Sequence, residues 1–112
     1  MSHPISTIAL APAEHAFRGA LNRAVQRGLR IVEGVKLARD GQHLVGVCVL
    51  GAAELDVHAT KNVLPRMPPG ARGALADGFD GLAMDRDLDD GLGAWHALGL
   101  RLRRAYQPRK AT

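Results

Sequence analysis

The chain has 112 residues and a formal net charge of +4, a length that fits a single globular domain over residues 1–112 with a buried core of its own. One cysteine excludes an intrachain disulfide, no apolar run approaches the ~20 residues that span a bilayer, and the N-terminus lacks the basic and long apolar regions of a secretory signal. The expected setting is therefore cytoplasmic, with no membrane partner.

Ala, Leu and Val supply most of the hydrophobic residues, and the four aromatics Phe17, Phe79, Trp95 and Tyr106 are the expected large anchors of the core. Residues 5–10 alternate weakly and read as a short strand. Pro12 then opens a helix, with Glu14 near its positive end. Phe17, Ala20, Leu21, Ala24 and Val25 recur at the spacing of one buried face, and Gly28 stands where a C-terminal cap belongs.

Residues 29–50 read as an antiparallel β-hairpin around an Asp40-Gly41 turn. With Arg39 opposite Gln42, the pairs run Leu37 with Leu44, Val35 with Gly46, Glu33 with Cys48 and Ile31 with Leu50, a mostly apolar face. Residues 51–60, rich in Ala, read as a short helix. Pro65, Pro68 and Pro69 make residues 61–70 a loop, and residues 71–77 form a helix that Gly78 is expected to stop. After an acidic loop, Leu92, Trp95, Leu98, Leu102 and Tyr106 define the stripe of a final helix that Pro108 ends. The fold class is α+β: a small antiparallel β-hairpin or sheet packed by an N-terminal helix and three C-terminal helices.

No complete catalytic, metal or nucleotide motif is present, so the chain reads as not an enzyme, with no metal and no cofactor. Asp85, Asp87 and Asp89 have the spacing of a calcium loop, but Asp90 occupies the position that needs Gly and His96 the one that needs Glu. Helix capping explains these acids more simply. Cys48 lies among Val47, Val49 and Leu50, the company of a buried structural thiol rather than a nucleophile. The histidines fall one to an element, so a zinc site would need tertiary convergence. Gly78-Phe79-Asp80-Gly81 lacks the spacing of a phosphate loop. It reads as a structural corner in which Phe79 enters the core and Asp80 accepts backbone N–H bonds.

Three segments carry a resemblance. Cys48-Val49-Leu50-Gly51-Ala52, then Gly78-Phe79-Asp80-Gly81, then Leu98-Gly99 with Arg103 four places after Gly99, resemble a group of small uncharacterised proteins from bacterial and phage genomes. The resemblance covers the C-terminal two-thirds of the chain. It implies a phage or mobile-element setting and carries no activity with it.

Charge distribution bears on function more than net charge does. Residues 77–90 hold six Asp against Arg86, whereas residues 91–112 hold five basic side chains and no acid. Part of this is compensation of the final helix's dipole. The remainder defines two basic surfaces, Arg23, Arg27 and Arg30 on one, and Arg101, Arg103, Arg104, Arg109 and Lys110 on the other. The expected function is that of a small non-enzymatic binding protein occupying an anionic macromolecular partner, an acidic protein surface ahead of nucleic acid. Direct nucleic-acid binding is the alternative; it is weakened by the shortage of exposed aromatics for stacking and by the lack of a helix-turn-helix pattern.

Overall fold

The computed structural model describes residues 9–84 and 91–111. The acidic segment read against a calcium loop lies outside them, as do residues 5–8 of the strand expected at residues 5–10, whose last residue, Leu10, instead begins a helix. Among the described residues the fold is α+β, with five α-helices, a 3-10 turn at Leu64–Arg66 and a four-stranded sheet.

Helix α1 (Leu10–Gln26) buries Ala13, Phe17, Ala20, Leu21 and Ala24, one face at three- and four-residue intervals. Val25, expected on that face, is exposed, because it stands one position, about 100°, beyond Ala24 on the helix. Gly28, at φ +83°, closes α1: its amide donates to the Val25 carbonyl and the Leu29 amide to that of Ala24, each at 2.9 Å. That pair of bonds is a Schellman cap, which the left-handed glycine permits.

The sheet differs from the hairpin read in the sequence. Strands β1 (Arg30–Glu33), β2 (Leu37–Asp40), β3 (His43–Val47) and β4 (Arg109–Lys110) lie in the order β2-β3-β1-β4. β2 and β3 are antiparallel, whereas β1 runs parallel to both β3 and β4. The two arms expected from residues 29–50 are thus three strands, with β3 returning between β1 and β2. The chain crosses over the end of β3 through residues 34–36, where Gly34 takes φ +87°. The turn is also displaced. Asp40 pairs with His43, so Gly41 and Gln42 are the central residues, and a bulge at Ala38/Arg39 brings Leu37 opposite Val47. Gly41 has φ +64° and Asp40 does not enter that region. Positive φ at the first central residue alone is the pattern of a type II′ turn, which needs glycine at that place.

The crossing segment explains the first motif segment. The Cys48 amide donates to the Lys36 carbonyl at 3.1 Å, and a β-carbon at Gly51 would collide with that same carbonyl. Helix α2 (Val49–Leu55) is separated from α3 (Val57–Thr60) by a break at Asp56. The buried Thr60 hydroxyl donates to the carbonyls of Ala53 at 2.7 Å and Asp56 at 3.0 Å, tying the two pieces together. Residues 51–60 are therefore not one helix, and Leu55 and Val57 are exposed.

Gly78 does not stop the next helix. Helix α4 (Ala71–Phe79) runs through it and packs along α5 (Leu92–Tyr106). Gly78 and Gly99 are the points of close approach: a β-carbon at Gly78 would strike the His96 carbonyl, and one at Gly99 the Leu75 carbonyl. Phe79, Trp95 and Phe17 are buried in one core cluster that also takes Ile31, Val47, Leu75, Leu98 and Leu102. Tyr106, expected on the apolar stripe, is half-buried, and its hydroxyl donates to the Asn22 side chain and the Arg18 carbonyl. Gln107, with φ 45°, turns the chain out of α5 and into β4.

Candidate functional site

Alternation along β1 places Ile31 in the core and Arg30 and Val32 on the opposite face of the sheet. Parallel partners share a face, so Arg109, opposite Val32, and Gly46, opposite Arg30, lie there as well. Gly46 keeps this face hollow, since a β-carbon there would lie 2.9 Å from Val32 Cγ1. The result is a groove of about 280 Å3 lined by strand residues and Ala111. Arg30, Arg39, Arg109 and Lys110 line it against a single carboxylate, Asp40. None of the four cations has an ion-pair or hydrogen-bond partner among the described residues. From β2 to β4 the groove crosses three strand spacings, about 14 Å.

The two basic surfaces read from the sequence are rearranged by the fold. Arg30 leaves the first set and Arg109 and Lys110 leave the second, and the three meet on the sheet. Arg39 joins them. In the sequence it figures only as the hairpin partner of Gln42, and the strand order that brings β2 near β4 has no local signature.

The other arginines are differently placed. Arg23 Nε lies 3.1 Å from Asp56 Oδ2, a buried oxygen that accepts no hydrogen bond, so charge alone relates the pair. Arg27 is the C-cap residue of α1 and is exposed. Arg101 donates to Glu14 Oε1 at 3.1 Å, and this bond, opposed by burial and aided by Arg18, holds the Glu14 carboxyl below its ordinary range. Arg103 turns inward, bonding Glu33 Oε2 and, at 2.9 Å, the Phe79 carbonyl. Arg104 is exposed.

The corner expected of the Gly-Phe-Asp-Gly segment is confined to Asp80 and Gly81, since Gly78 and Phe79 still belong to α4. Phe79 is fully buried, Gly81 has φ +76°, and Asp80 Oδ1 accepts the Gly34 amide at 3.1 Å. That bond ties the crossing segment to the end of α4. Burial pushes the Asp80 carboxyl up, with the Gly34 amide pulling the other way and Glu33 and Asp77 adding to the rise. Cys48 is buried, and burial raises its thiol too, which keeps it protonated and unreactive. His96 is buried with Nε2 2.7 Å from the Leu82 carbonyl. Among the described residues no three His, Cys, Asp or Glu side chains group to hold a metal ion, and no helix is long and apolar enough to cross a membrane.

Comparison with known proteins adds no relative. No protein-family model, no curated protein and no solved structure matches the chain.

Chemically, the groove presents concentrated positive charge. Three guanidinium groups offer planar forks matched to carboxylate or phosphate. The floor between them, Val32, Ala38 and Val45, is aliphatic.

Proposed function

We propose that this is a non-enzymatic binding protein that occupies an acidic macromolecular partner through the basic groove at its sheet. The observation that carries the reading is the convergence of Arg30, Arg39, Arg109 and Lys110, from three strands, with no carboxylate among the described residues paired with them. Unpaired cations around a concave floor focus potential toward an outside anion. A protein surface fits better than nucleic acid. Phe17, Phe79 and Trp95 are buried and no aromatic side chain lines the groove, so a stacking platform for bases is lacking. A reduced lone thiol favours a cytoplasmic setting, and the resemblance of the three glycine-bearing segments to bacterial and phage proteins is the ground for a mobile-element origin.

The test is fluorescence anisotropy with a labelled polyglutamate chain and a single-stranded oligonucleotide of equal charge, across a salt series. Polyglutamate is expected to bind, and Arg30→Glu with Arg39→Glu to weaken it at least tenfold. Both residues are exposed, so unfolding free energy should stay within about 0.5 kcal/mol per substitution. Preferential, steeply salt-dependent binding of the oligonucleotide would transfer the proposal to nucleic acid. Unchanged binding by the double variant would remove the sheet face from it.

A further inference from the structure

Among the described residues the strand order leaves β4 at one edge of the sheet, paired with β1 and with no strand beyond it. An edge strand presents unpaired N–H and C=O groups that another extended chain is able to match. At the opposite edge, β2 pairs with β3 across a register shift in which Val45 of β3 is the extra residue, and such a bulge sharpens the twist of the strand pair there. β4 has no such irregularity, and a hollow opens on each side of it. One is the basic groove. The other, of about 310 Å3, exposes Val35 (42%) and Leu82 (54%), and Lys110 and Ala111 line both.

Successive side chains of a strand point to opposite faces. A chain laid along β4 would therefore direct alternate residues to Arg30 and Arg109 on one side and to Val35 and Leu82 on the other. Resting on the acidic-partner reading above, we propose that the partner is bound as an extended segment of alternating acidic and apolar residues, adding to β4 as a fifth strand. Charge chooses this occupant. Arg109 and Lys110 repel the same edge of a second copy and attract carboxylates, while main-chain bonds supply affinity and the two hollows select the alternation. The carboxylates in the second hollow do not oppose it: Glu33 is paired with Arg103 and Asp80 holds the Gly34 amide.

The probe is a fluorescein-labelled decapeptide alternating Glu and Val, compared with a scrambled peptide of the same composition and with two versions N-methylated on either alternate set of backbone nitrogens. Scrambling, and methylation of the set that faces β4, are each expected to weaken binding at least about tenfold, since main-chain bonds carry affinity in strand addition. Val35→Asp with Leu82→Asp should do the same while leaving polyglutamate binding and the circular dichroism spectrum unchanged. Two methylated peptides that both bind like the parent overturn strand addition. So does an alternating peptide that fails to bind while polyglutamate still binds in a manner dependent on Arg30 and Arg39, a result that leaves the basic-face reading standing. If neither ligand binds, both fall.

Discussion

Arg103 and Arg104 are adjacent in the chain, and the fold uses them oppositely. Arg103 stands four residues after Gly99, on the side of α5 that meets α4, so its side chain reaches Glu33 and the Phe79 carbonyl, with the pair's side chains only 33% and 19% exposed. Arg104, one position on, faces water. Arg103→Ala strands a half-buried Glu33 and an unmatched carbonyl, and is expected to cost about 1–3 kcal/mol in urea denaturation. Arg104→Ala should stay within about 0.5 kcal/mol. Equal effects of the two substitutions would contradict the inward placement. The distinction was half legible. The apolar stripe of α5 identifies the inner face, but an arginine beside that face reads as a solvated charge until its acceptors, which come from β1 and α4, are brought to it.

At the scale of elements, what the sequence showed was whatever depends on local periodicity. The faces of α1 and α5, the connection at residues 61–70 apart from its 3-10 turn at Leu64–Arg66, and the corner at Asp80 and Gly81 follow from apolar spacing, proline and glycine. The sheet did not follow, because Gly34 was absorbed into a long hairpin arm. A glycine inside a strand pattern marks a break or a close approach, and here it lets the chain cross to β2. The close packing of α4 on α5 yields a contrast among glycines. Gly78→Ala or Gly99→Ala drives a β-carbon into backbone of the facing helix and should cost about 1–3 kcal/mol or more, the range for overpacking. Gly19→Ala, in the interior of α1 with nothing within 4 Å of the added carbon, should instead stabilise by about 0.5–1 kcal/mol, the intrinsic preference of a helix for Ala over Gly. Chemical denaturation of the three variants measures both signs.

For the molecule as a whole, two carboxylates pull stability in opposite directions with pH. The Arg101 hydrogen bond holds Glu14 below its ordinary 4.5. The unfolded chain therefore protonates there first, and the stabilisation is complete above 4.5 and lost as pH falls through the folded value. Asp80, raised above 3.8 chiefly by burial, keeps its proton longer in the folded state. Its contribution favours folding at low pH and declines as pH rises from 3.8 through the raised value. Urea midpoints measured between about pH 3 and pH 7 should accordingly show a shallower acid-side loss for Arg101→Ala. Asp80→Asn keeps an acceptor for the Gly34 amide without the charge, so it should match or exceed the parent at pH 7, with the difference closing as pH falls. Neither partnership is visible in the sequence: Glu14 and Arg101 lie near opposite ends of the chain, and Asp80 meets Gly34 only because β1 and α4 share the core.

The parallel pairing of β1 with β4 has a consequence for how the chain is made. Val32 and Glu33 leave the ribosome well before Arg109 and Lys110, which they pair with. At roughly 5–20 residues per second, the intervening chain takes several seconds to synthesise. Throughout that interval one side of β1 has no partner, and a nascent strand carrying Ile31 and Val32 is open to pairing with other chains. Until translation supplies β4, Arg30 and Glu33, which bracket the two apolar residues, act as the strand's own gatekeepers against aggregation.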